Sequence, residues 1–213
     1  MKTPSSDPKR ILISGGPGSG CSSTALALSR ILGIPVFDSD DFFHKPTDPP
    51  FREQFTPEER RLGLAAALAP AESWILSGSV ATWAVPNLDP THGVFLDVPN
   101  AERLARLEKR QRGNFGSRID SGGDLEEEHQ AFLQWAATYE DRETGRSRKT
   151  DLTFLNDRCP RVFVLSGVQA FVDAVLRISG FLGSSAGEEA SGQRQGRKVF
   201  VGPQGFEPWT KGL

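Results

Sequence analysis

Eight residues near the amino terminus constrain this chain more than any others: Gly15-Gly16-Pro17-Gly18-Ser19-Gly20-Cys21-Ser22, set between the apolar run Ile11-Leu12-Ile13 and the helical stretch 22–32. A strand, a glycine loop and a helix in that order turn successive backbone N–H groups around a hollow, and the helix adds its positive end. The stretch fits the phosphate-binding pattern G-x-x-x-x-G-K-[ST] at every position but one, because Cys21 stands where the lysine belongs. An ordinary glycine-rich turn is the competing reading. The preceding strand, the following helix and the place near the amino terminus favour phosphate.

Downstream, apolar runs alternate with turn signals. Pro35-Val36-Phe37 reads as a second short strand ending in the acidic stretch Asp38-Ser39-Asp40-Asp41, and the proline-rich residues 44–55 read as a loop. Thr56-Pro57-Glu58-Glu59 is an N-cap, a proline at the first helical position and acid in the first turn, opening a helix to about residue 69. Trp74-Ile75-Leu76, Val94-Phe95-Leu96-Asp97-Val98 and Arg161-Val162-Phe163-Val164-Leu165 are further strands. Helices are expected over 101–112, 124–139 and 168–178, with a flexible glycine-rich connection at 113–123. Strands alternating with helices imply an α/β fold, a parallel sheet with helices on both faces.

The expected organisation is a disordered amino terminus at 1–9, one domain over 10–183 with a lid at about 113–124, and a disordered tail at 184–213. In that tail Ser, Gly, Glu, Gln and Arg replace core-forming residues. The final stretch 202–213 matches nothing in the fold and reads as a candidate gene-model artefact. With 37% hydrophobic and 24% charged residues, the chain can bury a core. A net charge of -2 argues against a general nucleic-acid binder, which needs an excess of basic residues. Two cysteines, Cys21 and Cys159, are too few for a disulfide framework and suit a reducing compartment. No apolar run approaches the roughly 20 residues of a membrane span, and the polar start lacks the apolar middle of a secretion signal. The expectation is a cytoplasmic protein, monomer or homodimer, with neither nucleic acid nor membrane as partner.

Gly15, Gly16, Pro17, Gly18, Ser19, Gly20, Cys21, Ser22 and Ser23 are the residues expected to hold ATP, with the Ser22 hydroxyl on Mg²⁺. A loop lysine reaches the β- and γ-phosphates and neutralises charge during transfer. Its loss calls for another cation, and Lys45, Arg103, Arg106, Arg110, Arg112 and Arg118 are the candidates. The Cys21 thiol is no equivalent. At a helix N-terminus its pKa is expected to fall, and a thiolate would repel phosphate, so the expected role is a small uncharged side chain. A C-x5-R phosphatase loop is excluded, because Ala27 occupies the arginine position.

On the acceptor side, Asp40 is the expected base or Mg²⁺ partner, with Asp38 and Asp41 in reserve. Arg103, Arg106 and Arg110 lie three and four apart on one helix face before the lid, where guanidinium groups clamp phosphate; Arg110 and Arg112 are the leading pair. Arg146 and Arg148 are weaker candidates of the same kind. Ser77-Gly78-Ser79 ends a strand at the carboxyl edge, where open α/β sheets bind ligands. Asp97 reads as structural, and Arg52, Arg60 and Arg61 as helix-surface residues before they read as an acceptor grip. Phe42, Phe43 and Trp83 read as core before base-stacking platforms. His44, His92 and His129 lack metal-ligand spacing.

The order of these motifs resembles the nucleoside and nucleoside-monophosphate kinase group of P-loop proteins, which includes adenylate, shikimate, gluconate, uridine and nicotinamide riboside kinases. Asp40-Asp41-Phe42-Phe43, soon followed by Lys45-Pro46, is similar to the segment after the second strand of nicotinamide riboside and uridine kinases. There the first aspartate is the base, which implies Asp40. Phe95-Leu96-Asp97-Val98-Pro99 with Arg103, Arg106 and Arg110 is similar to the strand and helix leading into the lid. A non-lysine residue at the lysine position is similar to a group labelled adenylate kinase-like. The resemblance covers about 10–180 and implies a three-layer α/β/α sandwich on a five-stranded parallel sheet of order 2-3-1-4-5, with Ser166-Gly167-Val168 as the loop that contacts adenine. The implied function is transfer of the ATP γ-phosphate to a small-molecule acceptor, a nucleoside or nucleotide. The alternative, which Cys21 favours, is a catalytically weak nucleotide-binding or regulatory protein, or a slow NTPase.

Overall fold

An apolar run that is buried on both sides has to sit inside a sheet covered on both faces. Ile11, Leu12 and Ile13 meet that condition in β1 (Arg10–Gly15), where none is more than 1% exposed. The computed structural model describes residues 7–47, 53–184 and 199–201. In it β1 pairs in parallel with β3 (Trp74–Ser77) on one side and β4 (His92–Asp97) on the other. β2 (Val36–Asp38) lies outside β3, and β5 (Arg161–Ser166) outside β4. The parallel order β2-β3-β1-β4-β5 is the expected one. A sixth strand, β6 (Val199–Val201), drawn from the tail, extends the sheet by pairing in parallel with β5. Residues 1–6, 185–198 and 202–213, on which the other terminal expectations fall, lie outside the described residues.

The helices are α1 (Cys21–Leu32), the single turn α2 (Asp40–Phe43), α3 (Pro57–Leu68), α4 (Asn100–Phe115), α5 (Glu126–Ala137), α6 (Arg148–Arg158) and α7 (Phe171–Gly183). Because side chains alternate along a strand, each central strand feeds two apolar layers. Ile11, Ile13, Val94 and Leu96 pack with Ala25 and Leu28 of α1 and Val175 and Ile178 of α7. Leu12, Leu76, Phe95 and Val164 pack with Leu64 and Leu68 of α3 and Leu155 of α6. That is the three-layer sandwich.

α3 begins as its sequence dictates. The Thr56 hydroxyl accepts from the Glu59 N–H at 3.2 Å while the Glu59 carboxylate accepts from the Thr56 N–H at 2.7 Å, a full capping box with Pro57 at the first position. α6 occupies a stretch that the apolar pattern leaves unassigned. Its start is set by Ser147, whose hydroxyl accepts from the Thr150 N–H at 3.1 Å. Residues 113–123, expected as a flexible connection, are helical to Phe115 and then turn through a 3-10 segment, Gly116–Ile119. The buried Ile119 side chain and the Arg112–Asp120 and Arg118–Asp124 ion pairs hold this turn.

Candidate functional site

The connection from β1 to α1 places Gly15, Gly16, Pro17, Gly18, Ser19 and Gly20 at the carboxyl edge of the sheet, the edge at which parallel α/β folds bind ligands. The loop closes through the Ser19 N–H, which donates to the Gly16 carbonyl at 3.0 Å. α1 starts at Gly20, in the left-handed region with φ 94°, without a side-chain cap and without an acid in its first turn. Its first helical hydrogen bond runs from the Thr24 N–H to the Gly20 carbonyl at 3.0 Å. The N–H groups of Cys21, Ser22 and Ser23 precede it and have no partner within the helix. Oriented donors at a positive helix end make an anion site. Ser22 and Ser23 are exposed there.

Cys21 turns its sulfur inward. Sγ lies 3.3 Å from Ser19 Oγ, and the side chain packs against the apolar layer of the α1 face. Burial pushes its pKa up to about 11, and the Ser19 hydrogen bond and the Arg146 charge only partly offset this. The expected fall is thus corrected: desolvation outweighs the helix terminus, and the thiol is neutral at pH 7.

Behind the loop stands Arg103 of α4, 1% exposed. Its guanidinium donates to the carbonyls of Val98 (3.2 Å) and Pro17 (3.1 Å) and to Asn100 Oδ1 (2.9 Å), and pairs with Glu140 Oε1 at 3.3 Å. Arg103 therefore braces the rear of the loop rather than meeting a ligand. The close approach explains two glycines. A Cβ at Gly16 would stand 2.8 Å from Arg103 Cζ, and one at Gly18 would collide with the Arg103 carbonyl.

Opposite the loop, Asp38 accepts from Ser77 Oγ at 2.7 Å and from the Asp40 N–H at 3.0 Å, which ties the acidic stretch to the end of β3. Asp40 is exposed at the cleft mouth. Crowding by protein and the Asp38 charge hold its carboxyl above the ordinary carboxylate range, against the charges of Arg146, His44 and Arg110. The residue that the sequence pattern misses is Asp151, in the first turn of α6 and 1% exposed. Its carboxylate accepts from Ser79 Oγ at 2.5 Å and from the Tyr139 hydroxyl at 2.7 Å. Burial raises its pKa, which those two hydrogen bonds and Arg146 oppose. An aspartate in a polar, weakly patterned stretch gives no sequence signal of burial. On β1 just before the loop, the buried Ser14 Oγ lies on the Asp151 side of the cleft and helps to lower that carboxyl's pKa.

Most of the expected cations are engaged elsewhere. Arg106 pairs with Glu102 at 2.8 Å, Arg112 with Asp120 at 2.8 Å and Arg118 with Asp124 at 2.7 Å. Arg148 holds both oxygens of Asp97, at 2.9 and 2.7 Å. Lys45 faces the Phe55 ring at 5.8 Å and Glu53 at 3.9 Å. Arg60 lies 3.7 Å over the Phe43 ring and donates to the Phe55 carbonyl at 2.7 Å, and Arg61 pairs with Glu58 at 3.5 Å. Arg52 lies outside the described residues. Among the described residues two of the candidate arginines address the cleft. Arg110 is exposed on α4 and acts on Asp40 through its charge. Arg146, between α5 and α6, brings Nη2 to 3.5 Å from the Gly15 carbonyl, lies 5.8 Å from the Trp135 ring, and has a buried Nε without a hydrogen-bond partner among the described residues.

Phe43 stacks on Trp83 at 6.2 Å, and Phe42 packs against the α3-side core. His92 opens β4 at the amino edge and His129 lies in α5. Ser166 and Gly167 leave β5 beside the cleft, where the Gly167 N–H donates to the Asp97 carbonyl at 3.0 Å; Val168 is exposed. Among the described residues no group of three or more His, Cys, Asp and Glu side chains is placed to hold a metal ion. Mg²⁺ on a nucleotide commonly takes one or two protein oxygens with phosphates and water. The exposed Ser22 hydroxyl and the carboxylates at the end of β2 are of that kind. No helix among the described residues is long and apolar enough to cross a membrane.

No protein-family model matches the chain. Solved structures of similar architecture include a gluconokinase from Sinorhizobium meliloti 1021, 17% identical, covering 83% of this chain and 96% of that one at a TM-score of 0.45. TT1252 from Thermus thermophilus is 17% identical, with 83% and 97% covered and a TM-score of 0.48. At this identity and similarity neither bears on activity. In sequence, a protein of Bacillus subtilis (strain 168) described as uncharacterized protein YqaC is 36% identical over 134 residues, which are 62% of this chain and 73% of the relative. Such identity over most of the relative's length makes this chain a member of the YqaC family.

Proposed function

We propose that this chain is a small-molecule phosphotransferase of the adenylate kinase-like kind, which binds ATP with Mg²⁺ on the loop and transfers the γ-phosphoryl group to a hydroxyl of a nucleoside or nucleotide. The observation that supports it is one juxtaposition: the uncapped, acid-free start of α1 shares the carboxyl edge with the carboxylates of Asp38 and Asp40. In this reading the N–H groups of the loop and of Cys21, Ser22 and Ser23 hold the phosphates. Ser22 and Asp40 hold Mg²⁺, which when bound neutralises phosphate charge. Asp40 takes the proton of the acceptor hydroxyl, whose oxygen bonds to the γ-phosphorus as the bond from that phosphorus to the bridging oxygen breaks and ADP leaves. A carboxyl held above its ordinary pKa is a better proton acceptor near neutrality. In this reading Arg110, whose charge acts on Asp40, meets the transferring group, with Arg112, paired to Asp120, in reserve on the lid helix.

A second reading, nucleotide binding without efficient transfer, is favoured by the neutral Cys21 thiol at the lysine position. The two separate when nucleosides, nucleotides and small hydroxy compounds are incubated with labelled ATP and Mg²⁺. Transfer to any acceptor above the Asp40→Asn background supports the phosphotransferase. ATP binding with no transfer leaves the binder. Absence of ATP, GTP and ADP binding to folded protein removes both.

A further inference from the structure

The loop has lost its lysine, yet a polyphosphate at the start of α1 would enter a cleft that also holds the carboxylates of Asp38, Asp40 and Asp151. Some cation has to offset that field. We propose that the guanidinium of Arg146 meets the β- and γ-phosphates of the nucleotide in place of the missing ammonium, approaching from the segment between α5 and α6 rather than from within the loop. This rests on the nucleotide reading above and adds to it the identity of the phosphate cation.

Three observations carry the assignment. The first is an unmet need. A guanidinium has five N–H donors; that of Arg146 makes one long contact, Nη2 to the Gly15 carbonyl at 3.5 Å, and its Nε is buried with no hydrogen-bond partner among the described residues. A buried charged donor left so calls for an explanation, and at the edge of a phosphate loop an acceptor that arrives with the ligand supplies one. The second is location. Gly15 opens the phosphate loop, and the Arg146 charge acts at the same time on Cys21, Asp40 and Asp151, which surround the cleft. The third is rigidity. Gly145 turns the chain with φ 71°, and Ser147, fully buried, caps α6 on the other side. The Trp135 ring backs the guanidinium at 5.8 Å. A planar fork so held can bind phosphate oxygens in pairs, which a point charge cannot.

The test is calorimetric binding of ATP, ADP and AMP in Mg²⁺ by four proteins: wild type, Arg146→Ala, Cys21→Lys/Arg146→Ala, and Lys149→Ala. The last alters an exposed pair with Glu143 and serves as the control. Arg146→Ala is expected to weaken ATP by roughly tenfold to a hundredfold, ADP by less and AMP hardly at all, while Lys149→Ala matches wild type. Returning a lysine to the loop in Cys21→Lys/Arg146→Ala is expected to recover much of the ATP affinity, which repair of a merely structural role would not do. Should Arg146→Ala fail to fold, Arg146→Gln, which keeps an N–H donor group without the charge, takes its place with the same readings. Equal ATP affinity in wild type and the Arg146 variant overturns this inference alone, and so does an equal loss for all three nucleotides. A folded wild type that binds no nucleotide overturns the reading of the site itself.

Discussion

The two ends of one parallel sheet are built to different purposes. At the amino edge the terminal guanidinium nitrogens of three arginines end on the protein, although Arg10 Nε, like Arg146 Nε, is buried without a hydrogen-bond partner among the described residues. Arg10 pairs with Asp89 at 3.0 Å, Arg158 reaches the Leu88 carbonyl, and Arg161 donates to Ser184 O at 2.7 Å and to Phe181 O at 3.1 Å. A cavity of about 290 Å³ also lies there, lined by Arg10, Leu68, Trp74, Pro86 and Leu88. At the carboxyl edge, donors and acceptors face a cleft instead: the first-turn N–H groups of α1, Arg146 Nε and the Asp40 carboxylate. The comparison teaches that hollowness is not the mark of the site. A parallel sheet brings every strand's carboxyl end, and the helix N-termini that follow, to one edge, so backbone N–H donors of helix starts gather there whatever the shape of the surface.

The largest test of this contrast is Asp40→Asn. Phosphoryl transfer is expected to fall by roughly 10²–10⁴-fold, while the melting temperature stays level or rises. The sign follows from the raised pKa: the fold binds the Asp40 proton more tightly than the unfolded chain does, so the ionised group at pH 7 detracts from stability and its neutral replacement does not. A variant with wild-type rates would end the division between the edges. Asp151→Ala sharpens it from the other side, because Asp151 belongs to the cleft yet has partners of its own. Leaving Ser79 and the Tyr139 hydroxyl without their acceptor is expected to destabilise by about 3 kcal/mol in urea unfolding.

His92, at the amino edge, should affect stability without affecting binding. Burial first, and then the Arg161 charge, depress its pKa from 6.5 to about 4. The unfolded chain therefore takes up the proton first, so stability on the order of 3 kcal/mol is fully present above about pH 6.5 and is lost as pH falls toward 4. Urea midpoints followed across that window are expected to flatten in His92→Gln, with ATP affinity unchanged. The smallest effect is that of Thr56→Ala, about 1 kcal/mol from loss of the α3 capping box, again with unchanged nucleotide affinity. A binding change in either variant would mean that the edges are coupled.

Local chemistry was enough to read much of this protein. The continuous apolar run Ile11, Leu12 and Ile13, the glycines before Cys21, and Thr56-Pro57-Glu58-Glu59 each specify an element through neighbours a few residues away, and the strands and the loop follow from them. What escaped that reading depends on partners distant in the chain. α6 shows only a weak apolar pattern because its sequence is mostly polar and only Asp151 and Leu155 are buried, and Asp151 becomes a buried carboxylate only when Ser79, 72 residues away, reaches it. Arg103 reads as a phosphate clamp until the Pro17 carbonyl, 86 residues distant, takes its guanidinium. Cys21 keeps its proton because the packed apolar layer desolvates it, an effect that sequence position alone does not encode. Arg146 and Gly15 are 131 residues apart, and only the closed sandwich brings them together. The sequence by itself determined which backbone groups can cradle an anion, since propensity, periodicity and capping act over a few residues. The tertiary structure decided which charges stand around that loop, since Coulomb interactions and desolvation depend on distance in space rather than along the chain.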